Sequence, residues 1–419
     1  MRPDIKLSSR FLTTQNAHQI GLLVTVGADR PPRRAPINVA LVLDRSGSMT
    51  GLPLAAAKRA ALRFTELLGT DDRLSVSVFD EGVLTIFGPA TAGDPAAAEA
   101  IERVQPGGNT NLSAGWLRGR EHVQAGIVAG TNRVVLFTDG MANRGITAVP
   151  ELVALGRGAA SQRVTTSCIG FGAEFNEELL RAMSEAGGGN YWYVEAEDQM
   201  TDIFAEEIEG LVALAAQNLT VEVRLTHSRT AGVTLLQRLP TQRTPDGGWL
   251  LTLGDLYATS PKAVGLIFHV EDVAELGQTP VAQVRLVSDA VTAEGIEHQV
   301  VTVPVVANLD GTDHLEPTVE RTLVRFEAAR AREEAIEQAD RGDLDGAARK
   351  LAEASTRLAP YTSDPAVAEE AEDLRAESER LRVAEYAPRD RKYHEARSRG
   401  CWEGKEAYLR KLSRRRPRH

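Results

Sequence analysis

Residues 42–49 read Val-Leu-Asp-Arg-Ser-Gly-Ser-Met. An apolar run ends directly in a carboxylate, Asp44, and hydroxyls follow two and four residues on, at Ser46 and Ser48. Alternate residues of an extended turn can direct their oxygens to one side, and Gly47 relaxes the backbone between them. One carboxylate and two hydroxyls are hard donors that suit a small divalent cation, above all Mg2+. Two later stretches offer matching oxygens. Residues 107–112, Gly-Gly-Asn-Thr-Asn-Leu, set the Thr110 hydroxyl ahead of a helical pattern. Residues 136–140, Leu-Phe-Thr-Asp-Gly, set the Asp139 carboxylate after an apolar run.

Each piece alone has a plain structural reading. Ser46 and Ser48 suit helix capping ahead of Pro53, Thr110 suits an N-cap for a helix from Ser113, and Asp-Gly is a common turn dipeptide. Arg45 reads as a surface charge, and Asn111 and Asn143 at most shape the rim. Only the three segments together make a site.

The elements that must position these residues alternate. Strand-like runs at 37–43, 74–79, 83–87, 133–138, 164–169 and 191–194 are interleaved with helical patterns at 53–68, 94–104, 113–127, 149–160, 175–186 and 198–211. Strands alternating with helices of this length imply a mostly parallel, doubly wound sheet covered on both faces. A loop at the carboxyl end of such a strand faces the crevice where α/β folds bind ligands.

At this point the chain resembles the von Willebrand factor type A domain, on the pattern Asp-x-Ser-x-Ser, a later Gly-Gly-x-Thr and a later Thr-Asp-Gly. The likeness covers roughly residues 36–210. It implies a metal-ion-dependent adhesion site in which Asp44, Ser46, Ser48 and sometimes Thr110 touch Mg2+ or Mn2+, directly or through water, with Asp139 often acting through water. It also implies recognition of a protein partner whose Asp or Glu completes the coordination. The chain is similar to bacterial cytoplasmic proteins of this type that add a β-sandwich and a helical C-terminus. Some of those resemble scaffolds working beside AAA+ ATPases, kinases or phosphatases.

The flanks differ from the centre. Short Val/Leu/Thr-rich runs at 219–226, 233–239, 249–253, 263–270, 281–288 and 299–306 predict a β-sandwich over 213–312. Residues 19–26 also read as strand, so residues 1–35 are expected to complete that sandwich, with the α/β unit, 36–212, inserted into it. Residues 313–385 turn helical, with patterns at 319–341, 344–358 and 365–383, and one weakly tetratricopeptide-like hairpin that must pack on the body or on a partner. The charged faces of these helices are expected to be solvated. Residues 386–419 form a basic tail, expected to be solvated and disordered.

The 419 residues carry a net charge of −10, with 42% hydrophobic and 25% charged residues, an ordinary globular balance. The tail holds twelve Lys and Arg against four Asp and Glu, which leaves the first 385 residues at −18. An acidic body argues against a nucleic-acid binder. Two cysteines cannot build a disulfide framework; Cys168 reads as core and Cys401–Trp402 as a weak docking anchor. The eight His show no zinc spacing. No signal-peptide pattern opens the chain and no 18-residue apolar run occurs, so a cytoplasmic location is expected.

Catalysis is not expected. Phosphotransferases of the haloacid dehalogenase type need a second carboxylate two residues after the first, and that position is Ser46. No P-loop, nucleophile elbow or catalytic triad spacing appears. A small-molecule substrate, a nucleic acid and a membrane are not expected partners. The alternative reading is an adaptor that uses the basic tail, through Arg414, Arg415, Arg416 and Arg418, on nucleic acid or a membrane surface.

Overall fold

The computed structural model describes residues 1–13, 16–29, 34–172, 174–272, 277–292, 294–383 and 386–413. Two long strands come first, β1 (Arg2–Leu12) and β2 (Ala17–Gly27). The α/β unit follows as β3 (Ile37–Asp44), α1 (Leu52–Glu66), β4 (Arg73–Phe79), β5 (Val83–Thr91), α2 (Pro95–Glu102), α3 (Leu112–Ala125), β6 (Thr131–Thr138), α4 (Val149–Ser161), β7 (Thr165–Phe171), α5 (Glu177–Ala186), β8 (Gly188–Val194) and α6 (Glu197–Val212). Next are β9 (Leu214–Leu225), β10 (Thr230–Leu235), β11 (Thr241–Arg243), β12 (Trp249–Tyr257), β13 (Lys262–Val270), β14 (Gly277–Thr292) and β15 (Gly295–Leu309). The chain closes with α7 (Pro317–Asp340), α8 (Leu344–Leu358), α9 (Pro365–Arg382), α10 (Pro388–Glu403) and α11 (Glu406–Ser413).

The α/β sheet has the order β5-β4-β3-β6-β7-β8. All its pairings are parallel except β4 with β5, a tight antiparallel edge. Every residue of β3, β6 and β7 is buried, because helices cover both faces of the sheet. Helix starts follow local chemistry. Asp94 accepts from the Ala96 amide with Pro95 in the first turn, and Asn111 accepts from the Ala114 amide at the start of α3. The class is thus α/β joined to antiparallel sheets and C-terminal helices.

The flanking strands form two sheets, β1-β2-β13-β10 and β11-β12-β9-β14-β15. β2 pairs with β1 on one side and β13 on the other, so the N-terminal hairpin lies in the same sheet as strands from after the α/β unit. Ile20, Leu22, Val24 and Val26, two apart along β2, enter a core with Val221, Val223, Leu266, Phe268, Val284 and Leu286. The other face of β2 is covered by α7: Leu23 packs with Val319, Leu323 and Phe326. Gly21 and Gly265 let α7 approach, since a Cβ at either would fall within 2.7 Å of Leu323.

Two expectations about the C-terminal part are corrected. The charged faces of its helices are not simply solvated. Arg332 on α7 is fully buried and pairs with Glu370 at 2.6 Å and Glu377 at 3.0 Å on α9, while Arg397 on α10 pairs with Glu370 at 2.7 Å. The basic tail is folded over 388–413. Tyr393, Trp402 and Tyr408 are buried, and Tyr408 Oη accepts from the Tyr193 amide and donates to the Tyr193 carbonyl. Its cations meet carboxylates of the α/β unit, Arg391 with Glu177, Arg399 with Glu185 and Lys411 with Glu206. The physical reason is complementarity: an acidic body neutralises the basic segment, and three aromatic side chains supply apolar area to bury. The run Arg414, Arg415, Arg416 and Arg418 lies outside the described residues.

A buried polar network joins the α/β unit to the sandwich. Arg133, near the start of β6, is 0% exposed and pairs with Glu207 of α6 and Asp255 of β12. Asn190 donates to both Glu207 and the Tyr257 hydroxyl. The sandwich therefore attaches at the amino end of the parallel strands, the pole opposite the loops that follow β3 and β6.

Candidate metal centre

Strand β3 ends at Asp44 and strand β6 at Thr138, neighbours in the sheet, so the loops after them emerge side by side at its carboxyl end. The Asp44 carboxylate is buried. One oxygen accepts from the Ser46 amide at 2.8 Å, the other from the Thr138 hydroxyl. The Ser46 and Ser48 hydroxyls lie 3.2 Å apart, and Ser48 Oγ donates to Asp139 Oδ1 at 2.8 Å. Four of the five residues singled out in the sequence thus form one continuous chain of polar contacts, Asp44 to Ser46 to Ser48 to Asp139.

Thr110 faces them across Gly140. A Cβ on Gly140 would lie 3.3 Å from Thr110 Oγ1 and 3.7 Å from Ser48 Oγ, so the absent side chain leaves room for the two hydroxyls to approach. Asp44, Ser46, Thr110 and Asp139 are each less than 10% exposed, whereas Ser48 is exposed and marks the mouth.

Burial pushes the Asp44 carboxyl up to about 6, against hydrogen bonds from Thr138 and Ser46 that pull it down. Burial likewise raises the Asp139 carboxyl, against the bond from Ser48. Neither carboxylate has an ion-pair partner among the described residues, so no cationic side chain offsets the burial of either acid. The donors are all hard oxygens, two carboxylates and three hydroxyls, and this set fits a small divalent cation. Among the described residues no cluster of three or more His, Cys, Asp or Glu forms a metal site.

Several contributors escaped the sequence reading. Thr138 tethers the Asp44 carboxylate; its signal was a hydroxyl at the last position of a buried strand. Asn143 accepts from the Thr110 amide at 3.1 Å and donates its own amide to the Thr110 carbonyl at 3.2 Å, binding the second loop to the third. Asn111 serves as the α3 cap. Arg45 is not a plain surface charge: its guanidinium lies 2.8 Å from the Asp80 carboxylate. A cavity of about 1000 Å3 lies elsewhere, where α6, the sandwich and the α10–α11 turn meet around Trp192, Tyr257, Lys262 and Trp402. The chemistry of the donor set, not cavity size, singles out the carboxyl end of the sheet.

Comparison with known proteins agrees with the fold. Residues 38–206 match the von Willebrand factor type A domain. An uncharacterized protein of Synechocystis is 32% identical over 234 residues, 53% of this chain and 54% of its own length. The chain spans about half or less of the length of the curated relatives it matches. Among solved structures, a von Willebrand factor type A protein from Catenulispora acidiphila superposes with a TM-score of 0.64 at 16% identity, covering 88% of each chain. The ArnB paralog VWA2 from Sulfolobus acidocaldarius superposes with a TM-score of 0.57 at 15% identity, covering 92% of this chain and 99% of its own. At these identities the likeness to both structures is one of fold, and it extends beyond the α/β unit. Among the described residues no helix is long and apolar enough to cross a membrane.

Proposed function

Residues 38–206 are a von Willebrand factor type A domain, and from that premise we propose that this protein recognises a protein partner through a divalent cation. Asp44, Ser46, Ser48, Thr110 and Asp139 would hold Mg2+ or Mn2+. A cation held there would supply a Lewis-acidic centre able to take a carboxylate oxygen of a partner's Asp or Glu. The protein's own residues prepare that event. Thr138 and the Ser46 amide orient the Asp44 carboxylate, Ser48 positions Asp139, and Asn143 holds Thr110 in register.

The observation that carries this reading is convergence. Oxygens separated by up to 95 positions in sequence, Asp44 to Asp139, meet at the open end of the sheet, with both acids under-neutralised. Binding rather than catalysis is supported by the donor set, since the position two residues beyond Asp44 holds a hydroxyl with no acid or base character. By analogy with related scaffolds, AAA+ ATPase, kinase or phosphatase systems are the partners to seek first.

The test is a melting curve of the full chain in EDTA and in excess Mg2+. A native-state ligand at a hundred times its Kd stabilises by about 2.7 kcal/mol. The wild type should gain that shift and Asp44→Ala should lose it. Thr110→Ala and Asp139→Ala should fold yet lose Mg2+-dependent partner capture. Superimposable wild-type curves in EDTA and Mg2+ would overturn the proposal.

A further inference from the structure

Besides the side-chain contacts of Asp44, Ser46 and Ser48, the loop that carries them is held by a second set of contacts that involve none of those side chains. The Arg45 amide donates to the Phe79 carbonyl at 2.9 Å, extending the β3–β4 pairing one residue past the strand. The Arg45 carbonyl accepts from the Gly107 amide at 2.6 Å, and the Gly47 amide donates to the Gly108 carbonyl at 2.8 Å. The first ligand loop is thus zipped to the Gly107–Gly108 pair that leads into Thr110. A side-chain contact reinforces the zip. The Arg45 guanidinium pairs with Asp80 Oδ2 at 2.8 Å, with side chains only 27% and 15% exposed. The Asp80 carbonyl accepts from the Asn111 amide at 2.7 Å, and Asp80 Oδ1 accepts from the Gly82 amide at 3.0 Å. Gly107 is the slot for that carboxylate, since a Cβ there would lie 2.0 Å from Asp80 Oδ2.

We infer that the Arg45–Asp80 ion pair is a positioning clamp that sets the cation affinity of the site by fastening the loop of Asp44, Ser46 and Ser48 to the segment that carries Thr110. The inference rests on the cation-binding reading above. Its sign separates it from a simple charge effect. A guanidinium beside a cation site opposes loading, so an Arg45 acting only through its charge would tighten binding when removed. A clamp weakens binding when removed, because the oxygens lose their shared register; outer-shell residues of this kind set metal affinity by about 10–100-fold.

The experiment is calorimetric titration of the full chain with Mn2+ at physiological salt, alongside melting in EDTA. Arg45→Met is expected to raise the Mn2+ Kd about 10-fold or more while the EDTA melt stays cooperative. Asp80→Asn should act in the same direction, and the double variant should lose no more than the worse single one, because both remove one interaction. Should Arg45→Met not fold, Arg45→Gln takes its place with the same expectation. Arg45 variants that bind Mn2+ as tightly as wild type, or more tightly, overturn the clamp while wild-type binding keeps the cation reading intact. A wild type that binds no Mn2+ overturns the cation reading itself.

Discussion

Asp44 carries the most informative tension in the molecule. Its carboxyl is buried with no cationic side chain paired to it among the described residues, and burial pushes it up to about 6 from the ordinary 3.8. An acid raised in the folded state stabilises that state fully at low pH, and the contribution is lost as pH rises from about 4 through 6. Metal-free protein at pH 8 therefore bears a buried, under-neutralised carboxylate. Asp44→Asn, which keeps the shape and removes the charge, should raise stability in EDTA at pH 8 by about 1–3 kcal/mol. The gain should vanish at pH 4, and the order of the two proteins should invert in Mg2+. Denaturant titration under the three conditions checks this; a variant less stable than wild type in EDTA at pH 8 would mean that hydrogen bonds outweigh desolvation at this position.

Among the elements, α7, α9 and α10 are joined by a buried ion network rather than by apolar packing alone. Glu370 lies between Arg332 and Arg397. Despite burial, the two guanidinium groups hold its carboxyl down to about 2, and Arg332 holds the Glu377 carboxyl well below its usual range. An acid lowered in the folded state stabilises above its unfolded value of 4.5, and that contribution fades as pH falls from there toward 2. Glu370→Gln should cost about 2–3 kcal/mol at pH 7, less than a fully orphaned pair because Arg332 keeps Glu377. It should also flatten the acid dependence between pH 4.5 and 2, read from helical circular dichroism. An unchanged acid limb would show that the network is not what acid disrupts. The folded 388–413 segment extends the same logic, since its cations are engaged with Glu177, Glu185 and Glu206. This weakens the adaptor reading of the tail over these residues.

At the scale of the whole molecule, the N-terminal hairpin binds the parts together. β2 is buried on both faces, by the sandwich core on one side and α7 on the other, and its removal would open the edge of β13. Deleting residues 1–35 should therefore yield aggregated or higher-order species on size-exclusion chromatography, because an unpaired strand edge templates association. A monodisperse, monomeric deletion variant would contradict the structural role given to β2. The Arg133–Glu207–Asp255 network fixes the sandwich to the amino end of the sheet, the pole opposite the candidate centre.

Periodicity was enough to read the doubly wound unit, and motif to nominate the five candidate ligands, because an amphipathic repeat and a polar residue ending an apolar strand are local signals. The sandwich strands were also legible one by one. What tertiary structure alone decided is which distant groups meet. Thr138, Asn143 and Asp80 matter because neighbouring strands deliver three loops to one place; a strand-ending hydroxyl marks Thr138 locally, but no local pattern says which distant group each of the three will meet. The basic C-terminal segment has the composition of a solvated tail, yet it folds, because acidic residues contributed by α5 and α6 neutralise it. Charge and exposure are properties of the assembled surface rather than of a stretch of chain, and so the sequence alone could not assign them.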